Sequence, residues 1–196
     1  MNGSKLGVAA VLAFALSAQP VLAGWKLLVA NSAVTAGEVT LVPTSDWNLA
    51  SGKLGKQTSA WTHDGFDLNS LEIFSGIPAG QPLYKERDKK RNPLPKFVPE
   101  SLLPEMVDLF ERSFRVQYAV SDFSIIEVKP ALFGGRKGIH ARFRYSLPDD
   151  GLMRIGEVRL TSANAKLYGI AFTAPALHYF DAGLPEAIAI MDSAKF

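Results

Sequence analysis

The segment Ile139–Leu147 constrains this chain more than any other. Ile139, Ala141, Phe143, Tyr145 and Leu147 fall on one face, and His140, Arg142, Arg144 and Ser146 on the other. A period of two predicts a β-strand. Pro148-Asp149-Asp150-Gly151 then has the chemistry of a turn, and Leu152–Thr161 returns. A four-residue loop pairing Leu147 with Leu152 sets the register. Ala141 lies opposite Val158 and Ile139 opposite Leu160 on the apolar side; Arg142 meets Glu157 and His140 meets Arg159 on the polar side. A slip of one residue would turn every side chain to the wrong face, so the hairpin commits the chain to an antiparallel sheet with a core on at least one side. Met153 and Ile155 share the polar face in this register, and a bulge at Gly156 would remove them from it at the expense of shifting Arg159.

The remaining segments supply more strands and two helices. Glu38–Val42, Ser59–His63 with its Asp64-Gly65 turn, Leu68–Phe74 and Phe123–Val128 read as strands, with Pro130 and Gly134-Gly135 as punctuation. Leu167–Thr173 carries apolar residues on both faces, which predicts a central strand covered on both sides. Leu103, Val107, Phe110 and Phe114 recur at helical spacing behind Pro104, with acids near the start and Arg112 and Arg115 near the end. A second helix closes the chain, with Pro185 placed in its first turn. Residues 78–99 hold several prolines and a mixed-charge run, and read as an exposed excursion from one domain. These elements make a single-domain α+β chain with a mainly antiparallel sheet.

Met1–Ala23 reads as a cleavable secretory signal. Lys5 gives the positive start, Leu6–Ala18 the apolar run, and Val21-Leu22-Ala23 the small residues before a cut at Gly24. The run is shorter than the roughly 20 residues of a spanning helix; the alternative is an uncleaved anchor. Leu22-Ala23-Gly24 also begins a lipoprotein box, but Trp25 stands where the lipid-bearing cysteine belongs. Residues 24–36 show no period and read as a flexible lead, with the domain proper at 37–196. The expected compartment is the periplasm or the medium. The chain has no cysteine, which excludes disulfides and thiolate chemistry, and a net charge of +2, which calls for no nucleic-acid partner.

A resemblance follows from three features: the strand leading to Trp47, the Phe-Gly-Gly-Arg-Lys-Gly turn at 133–138, and the closing Lys-Leu-Tyr-Gly-Ile-Ala-Phe-Thr-Ala-Pro strand at 166–175. Together these resemble the PsbP-like superfamily, whose fold is shared by the photosystem II extrinsic protein and the Ran-binding Mog proteins. They also resemble uncharacterised proteobacterial envelope proteins, many of them lipoproteins. The resemblance covers roughly residues 37–195. It implies an α/β/α sandwich and a non-enzymatic accessory or binding role, and brings no functional residues with it.

Little in the sequence announces chemistry. Gly134–Gly138 is glycine-rich and basic but feeds a strand, whereas a phosphate loop opens a helix. His63, His140 and His178 lack metal-ligand spacing, and no cofactor motif occurs. Trp25, Trp47 and Trp61 read as core material. The candidate ligand site is therefore the polar side of the hairpin, where Arg142, Arg144, Arg159, His140 and Glu157 converge and guanidinium forks suit a carboxylate or phosphate. The reading is an exported non-enzymatic binding or accessory protein of the cell envelope, its partner an envelope protein or a small anionic ligand. One alternative is a hydrolase around His63, Asp64 and His140. Another is a peripheral surface protein making weak membrane contact through Lys85, Arg87, Lys89, Lys90, Arg91 and Lys96.

Overall fold

The hairpin forms in the register its turn dictates. In the computed structural model, which describes residues 25–196, Ile139 pairs with Leu160, His140 with Arg159, Ala141 with Val158 and Arg142 with Glu157. The export segment at 1–23 lies outside the described residues. Phe143 pairs with Gly156 and Arg144 with Ile155, so no bulge interrupts the ladder at Gly156.

These two strands, β8 (Arg136–Ser146) and β9 (Met153–Ala163), belong to an eight-stranded antiparallel sheet. The others are β1 (Trp25–Leu28), β4 (Trp47–Ala50), β5 (Thr58–Thr62), β6 (Ser70–Pro78), β7 (Phe123–Phe133) and β10 (Lys166–Pro175). Their spatial order is β1-β4-β5-β6-β10-β9-β8-β7. A separate hairpin of β2 (Val34–Ala36) and β3 (Val39–Leu41) lies apart from this ladder. Strand β10 pairs with β6 on one side and β9 on the other, the central place its two-sided apolar pattern predicts.

Alternation divides the core in two. Helix α1 (Leu103–Tyr118) packs Phe110 and Phe114 with Phe74, Phe143, Val158 and Leu167 on one face of the sheet. Helix α2 (Tyr179–Asp192) packs Phe180, Ile190 and Met191 with Trp47, Trp61, Ile73, Ile170 and Phe172 on the other. The result is a helix layer on each side of a mainly antiparallel sheet in one domain.

Five expectations need correction. Trp25, read as core material, is 48% exposed, because it sits on the edge strand β1 and stacks on Phe66 at 5.4 Å. The segment 24–36, read as a flexible lead, supplies β1, which pairs residue for residue with β4, and β2, which pairs with β3. Its strands are short and lie at an edge, so no period had room to show. Pro130 does not end its strand: β7 continues to Phe133, because an edge strand tolerates a missing N–H. The 78–99 excursion is not wholly exposed. Leu83, Tyr84, Leu94 and Phe97 are buried in the α1-side core and tack the loop down between exposed basic residues. Pro185 lies inside α2, which starts earlier, at Tyr179.

Candidate functional site

The polar side of β8 and β9 faces α2. Glu157 is 3% exposed; it accepts hydrogen bonds from His140 Nε2 at 2.9 Å and Arg142 Nε at 2.8 Å, and a second guanidinium N–H of Arg142 reaches the same oxygen. Burial on its own would raise the Glu157 carboxyl, but the His140 and Arg142 bonds outweigh it and hold the group below its ordinary value. The Arg142 guanidinium stacks over the Phe180 ring of α2 at 5.7 Å, and Arg159 pairs with Asp192 at the end of the same helix. The structure thus brings His140, Arg142 and Glu157 into one network, directs Arg159 to α2, and leaves Arg144 exposed at the end of the ladder.

The residues of the hydrolase alternative do not converge. His63 Nδ1 lies 2.9 Å from its neighbour Asp64, and both side chains are nearly half exposed. Three strands (β6, β10 and β9) separate β5 from β8, which carries His140. At roughly 4.8 Å per strand, β5 and β8 stand about 19 Å apart across the ladder, which keeps His63 and His140 from sharing a proton. In the basic excursion Lys89 faces Glu86 and Arg91 faces Asp88. Among the described residues no helix is long and apolar enough to cross a membrane, and no three His, Asp or Glu side chains cluster as metal ligands.

A concave site exists where the sequence pointed to none. Lys26 pairs with Leu49, and Leu49 with Trp61, so these three side chains share the α2 face at the β1 end of the sheet. The β2–β3 hairpin stands beside them and presents Val34, Ala36 and Gly37. Between the two is a cavity of about 690 Å³, lined also by Ser59, Ser75, Lys53 and Lys56.

The hairpin is held in place by its tip. Gly37 has φ +64° and sits so near Ser75 that a Cβ would fall 2.3 Å from the hydroxyl oxygen, so only glycine fits. The Glu38 N–H donates to that hydroxyl, and the Glu38 carboxylate accepts from Lys166 and from Tyr168 OH at 2.7 Å. The Lys166 bond first, then that of Tyr168, holds the Glu38 carboxyl below its ordinary value. At the other end, Thr40 bridges to Lys195, and the Val42 N–H donates to Ser193 Oγ at 2.9 Å.

The lining is basic at the rim and apolar at the floor. Lys26, Lys53 and Lys56 are exposed at the rim, and the one acid on the lining, Glu38, is already committed. The floor is Leu49, Val34, Ala36 and the fully buried Trp61, whose indole N–H has no hydrogen-bond partner. A buried donor left unmet costs about 1–3 kcal/mol. Trp61 belongs to the α2-side core, as expected, and also lines the cavity. The one signal in the sequence is a pair of lysines, Lys53 and Lys56, running into an aromatic strand.

No family model matches the chain, and no curated protein matches it in sequence. Among solved structures it is similar to the PsbP protein CyanoP of Synechocystis sp. PCC 6803, with a TM-score of 0.53, 12% identity, and 96% of this chain and 97% of that one covered. It is also similar to the Ran-binding protein Mog1p of Saccharomyces cerevisiae (TM-score 0.47, 9% identity, 87% and 94% covered). A third is LpqN of Mycobacterium tuberculosis, involved in cell envelope biogenesis there (TM-score 0.32, 9% identity, 91% and 86% covered). The cyanobacterial likeness, over nearly all of both chains, shows that this chain has the PsbP fold, as its sequence resemblance implied. At this identity the likeness is one of fold, and no residue role passes across.

Proposed function

We propose that this protein is an exported, non-catalytic binding domain of the bacterial cell envelope. Its ligand is a small amphipathic anion held between the β2–β3 hairpin and the β1 end of the sheet. The observation that carries the reading is the cavity of about 690 Å³, with an apolar floor, an unpartnered buried indole N–H and three lysines at the rim. Its size is in the usual range for small-molecule sites, and few convergent polar groups on an apolar wall is their usual make-up. The apolar body of the ligand lies on Leu49, Val34 and Ala36, and its carboxylate or phosphate meets the lysines.

Decanoate is a suitable probe, with decanol as the uncharged control. A ligand that binds only the native state raises the melting temperature by mass action, so decanoate should raise that of the wild-type protein. Replacing Lys26, Lys53 and Lys56 together with alanine should weaken decanoate binding roughly tenfold at low salt while leaving folding intact, since exposed charges contribute little to stability. Equal stabilisation by decanoate and decanol, or an undiminished response in the triple variant, would remove the anion from the reading.

A second reading rests on Arg144. It is exposed on the polar end of the β8–β9 ladder, beside the Arg142–Glu157 network, and offers a free guanidinium for an anion. The same titration separates the two: Arg144→Ala abolishes the response only if the anion sits at the ladder. Export has its own check. Purified from the periplasm, the protein should begin at Gly24, and an N-terminus at Met1 on the mature protein would overturn export with cleavage.

A further inference from the structure

On the opposite face of the sheet from the lysine-rimmed cavity, a second and smaller one surrounds a buried acid. Glu72 in β6 is 1% exposed, and no Lys, Arg or His pairs with it among the described residues. Its carboxylate accepts one hydrogen bond on each oxygen, from Tyr84 OH at 2.6 Å and from Tyr118 OH. A carboxylate has about four acceptor positions, so two remain. The cavity beside it has a volume of about 210 Å³ and is lined by Glu72, Tyr118, Tyr145, Phe66, Arg154 and Thr173 among others. We propose that this cavity binds a small alkylammonium ion, whose charge meets Glu72 and whose carbons lie among the Tyr118, Tyr145 and Phe66 rings.

Charge and shape both favour that class. Arg154 also lines the cavity, but both of its terminal nitrogens are held by Asp150, at 3.0 and 2.6 Å, which cancels its charge locally. Asp67 lies near Arg154, and Arg87 near Tyr118. The acids Glu72, Asp150 and Asp67 thus outnumber the two arginines by one. Aromatic faces attract cations, and more strongly once water is excluded. Burial raises the Glu72 carboxyl above its ordinary value, despite the opposing Tyr118 and Tyr84 bonds, as expected for an acid short of a counter-charge. An anion is disfavoured by Glu72, and a larger ligand by the volume.

Propylammonium chloride is the probe, with propan-1-ol as its neutral isostere and sodium chloride for ionic strength. Propylammonium should raise the melting temperature of the wild-type protein at pH 8, and neither control should match it. Glu72→Gln keeps the shape and one of the two tyrosine bonds, the amide N–H donating to the other tyrosine oxygen; its affinity for the probe should be at least tenfold weaker. No propylammonium response in the wild type, or the same response in Glu72→Gln, overturns the proposal. If the variant does not fold, the wild type decides alone. Tyr84 and Tyr118 are pushed well above their ordinary value and Tyr145 to about 12, while Asp150 lies at about 2 and Arg154 is raised. Glu72, raised above its ordinary value of 4.5, carries its proton at pH 4, so a propylammonium response seen at pH 8 should fall away there. A response that persists unchanged to pH 4 overturns the proposal. The site is independent of the lysine-rimmed cavity, and the two probes report on each separately.

Discussion

Glu157→Ala should destabilise the protein by about 3 kcal/mol at pH 7, measured by urea unfolding. The magnitude follows from what the acid holds. It is almost wholly buried under α2, and both His140 and Arg142 donate to it. Removing one partner of a buried ion pair costs about 3–5 kcal/mol because the other is left uncompensated. The Arg142 side chain is 37% exposed and can be rehydrated, which places the cost at the low end. His140 cannot, since it is 5% exposed and its Nδ1 already has no partner. The pH dependence has a definite sign. The folded Glu157 carboxyl lies below its ordinary value of 4.5, so its contribution is present above that value and lost as pH falls through the lower, folded one. The gap between wild type and variant should therefore narrow in acid. By contrast, Arg159→Ala removes a pair whose acid, Asp192, is 62% exposed, and should cost less than about 1 kcal/mol. A Glu157→Ala loss below about 1 kcal/mol would mean that the network is a solvated face after all.

This network shows how far the sequence was legible. Its ladder was, because a period-two pattern and a Pro-Asp-Asp-Gly turn together leave one register, and Arg142 does meet Glu157 and His140 does meet Arg159. Its cover was not. Proline favours the first turn of a helix, so Pro185 pointed to a start near 184. The helix instead begins at Tyr179, forgoing the hydrogen bond that a residue other than proline would make at 185. Those extra residues carry Phe180 over the Arg142 guanidinium and bury what alternation alone placed in solvent. Helix α1 was easier to read, since its stripe and its proline agree about where it begins.

The lysine-rimmed cavity was illegible for a different reason. Its walls come from residues 25–26, 34–38, 49–61 and 75, brought together only by the pairing of β1 with β4 and the docking of the β2–β3 hairpin. No single window contains two sides of it. Each part has an ordinary local explanation: Trp25 and Trp61 as core, Lys53 and Lys56 as exposed charges. The Glu72 cavity is similar, with an acid from β6, Tyr84 from the excursion and Tyr118 from the last turn of α1. Local pattern reads elements and register; sites assembled by long-range contacts need the fold.

Gly156→Ala should cost about 2–3 kcal/mol, although alanine ordinarily suits a strand better than glycine by roughly 0.5–1 kcal/mol. Gly156 pairs with Phe143, and a Cβ there would lie 2.3 Å from Phe143 Cζ and 2.6 Å from Cε2. The ring has nowhere to go. Its centroid is 5.2 Å from that of Phe110, 5.5 Å from Phe114 and 5.0 Å from Phe123, and it is fully buried. The backbone cannot yield by slipping one residue, because that would turn Arg142 and His140 into the apolar face. Overpacking of this kind costs typically 1–3 kcal/mol, and a rigid ring between aromatic neighbours belongs at the upper end. Phe143→Leu alone should also destabilise by leaving a void. Combined with Gly156→Ala it should recover part of the loss, since the methyl then occupies space the ring vacated, giving a coupling of about 1 kcal/mol or more. Gly52→Ala, with nothing within 4 Å of the new methyl, should change stability by less than about 0.5 kcal/mol. Chemical denaturation of the four variants decides it. Additive losses at 143 and 156 would show that the glycine serves the strand's conformation and not the ring packed against it.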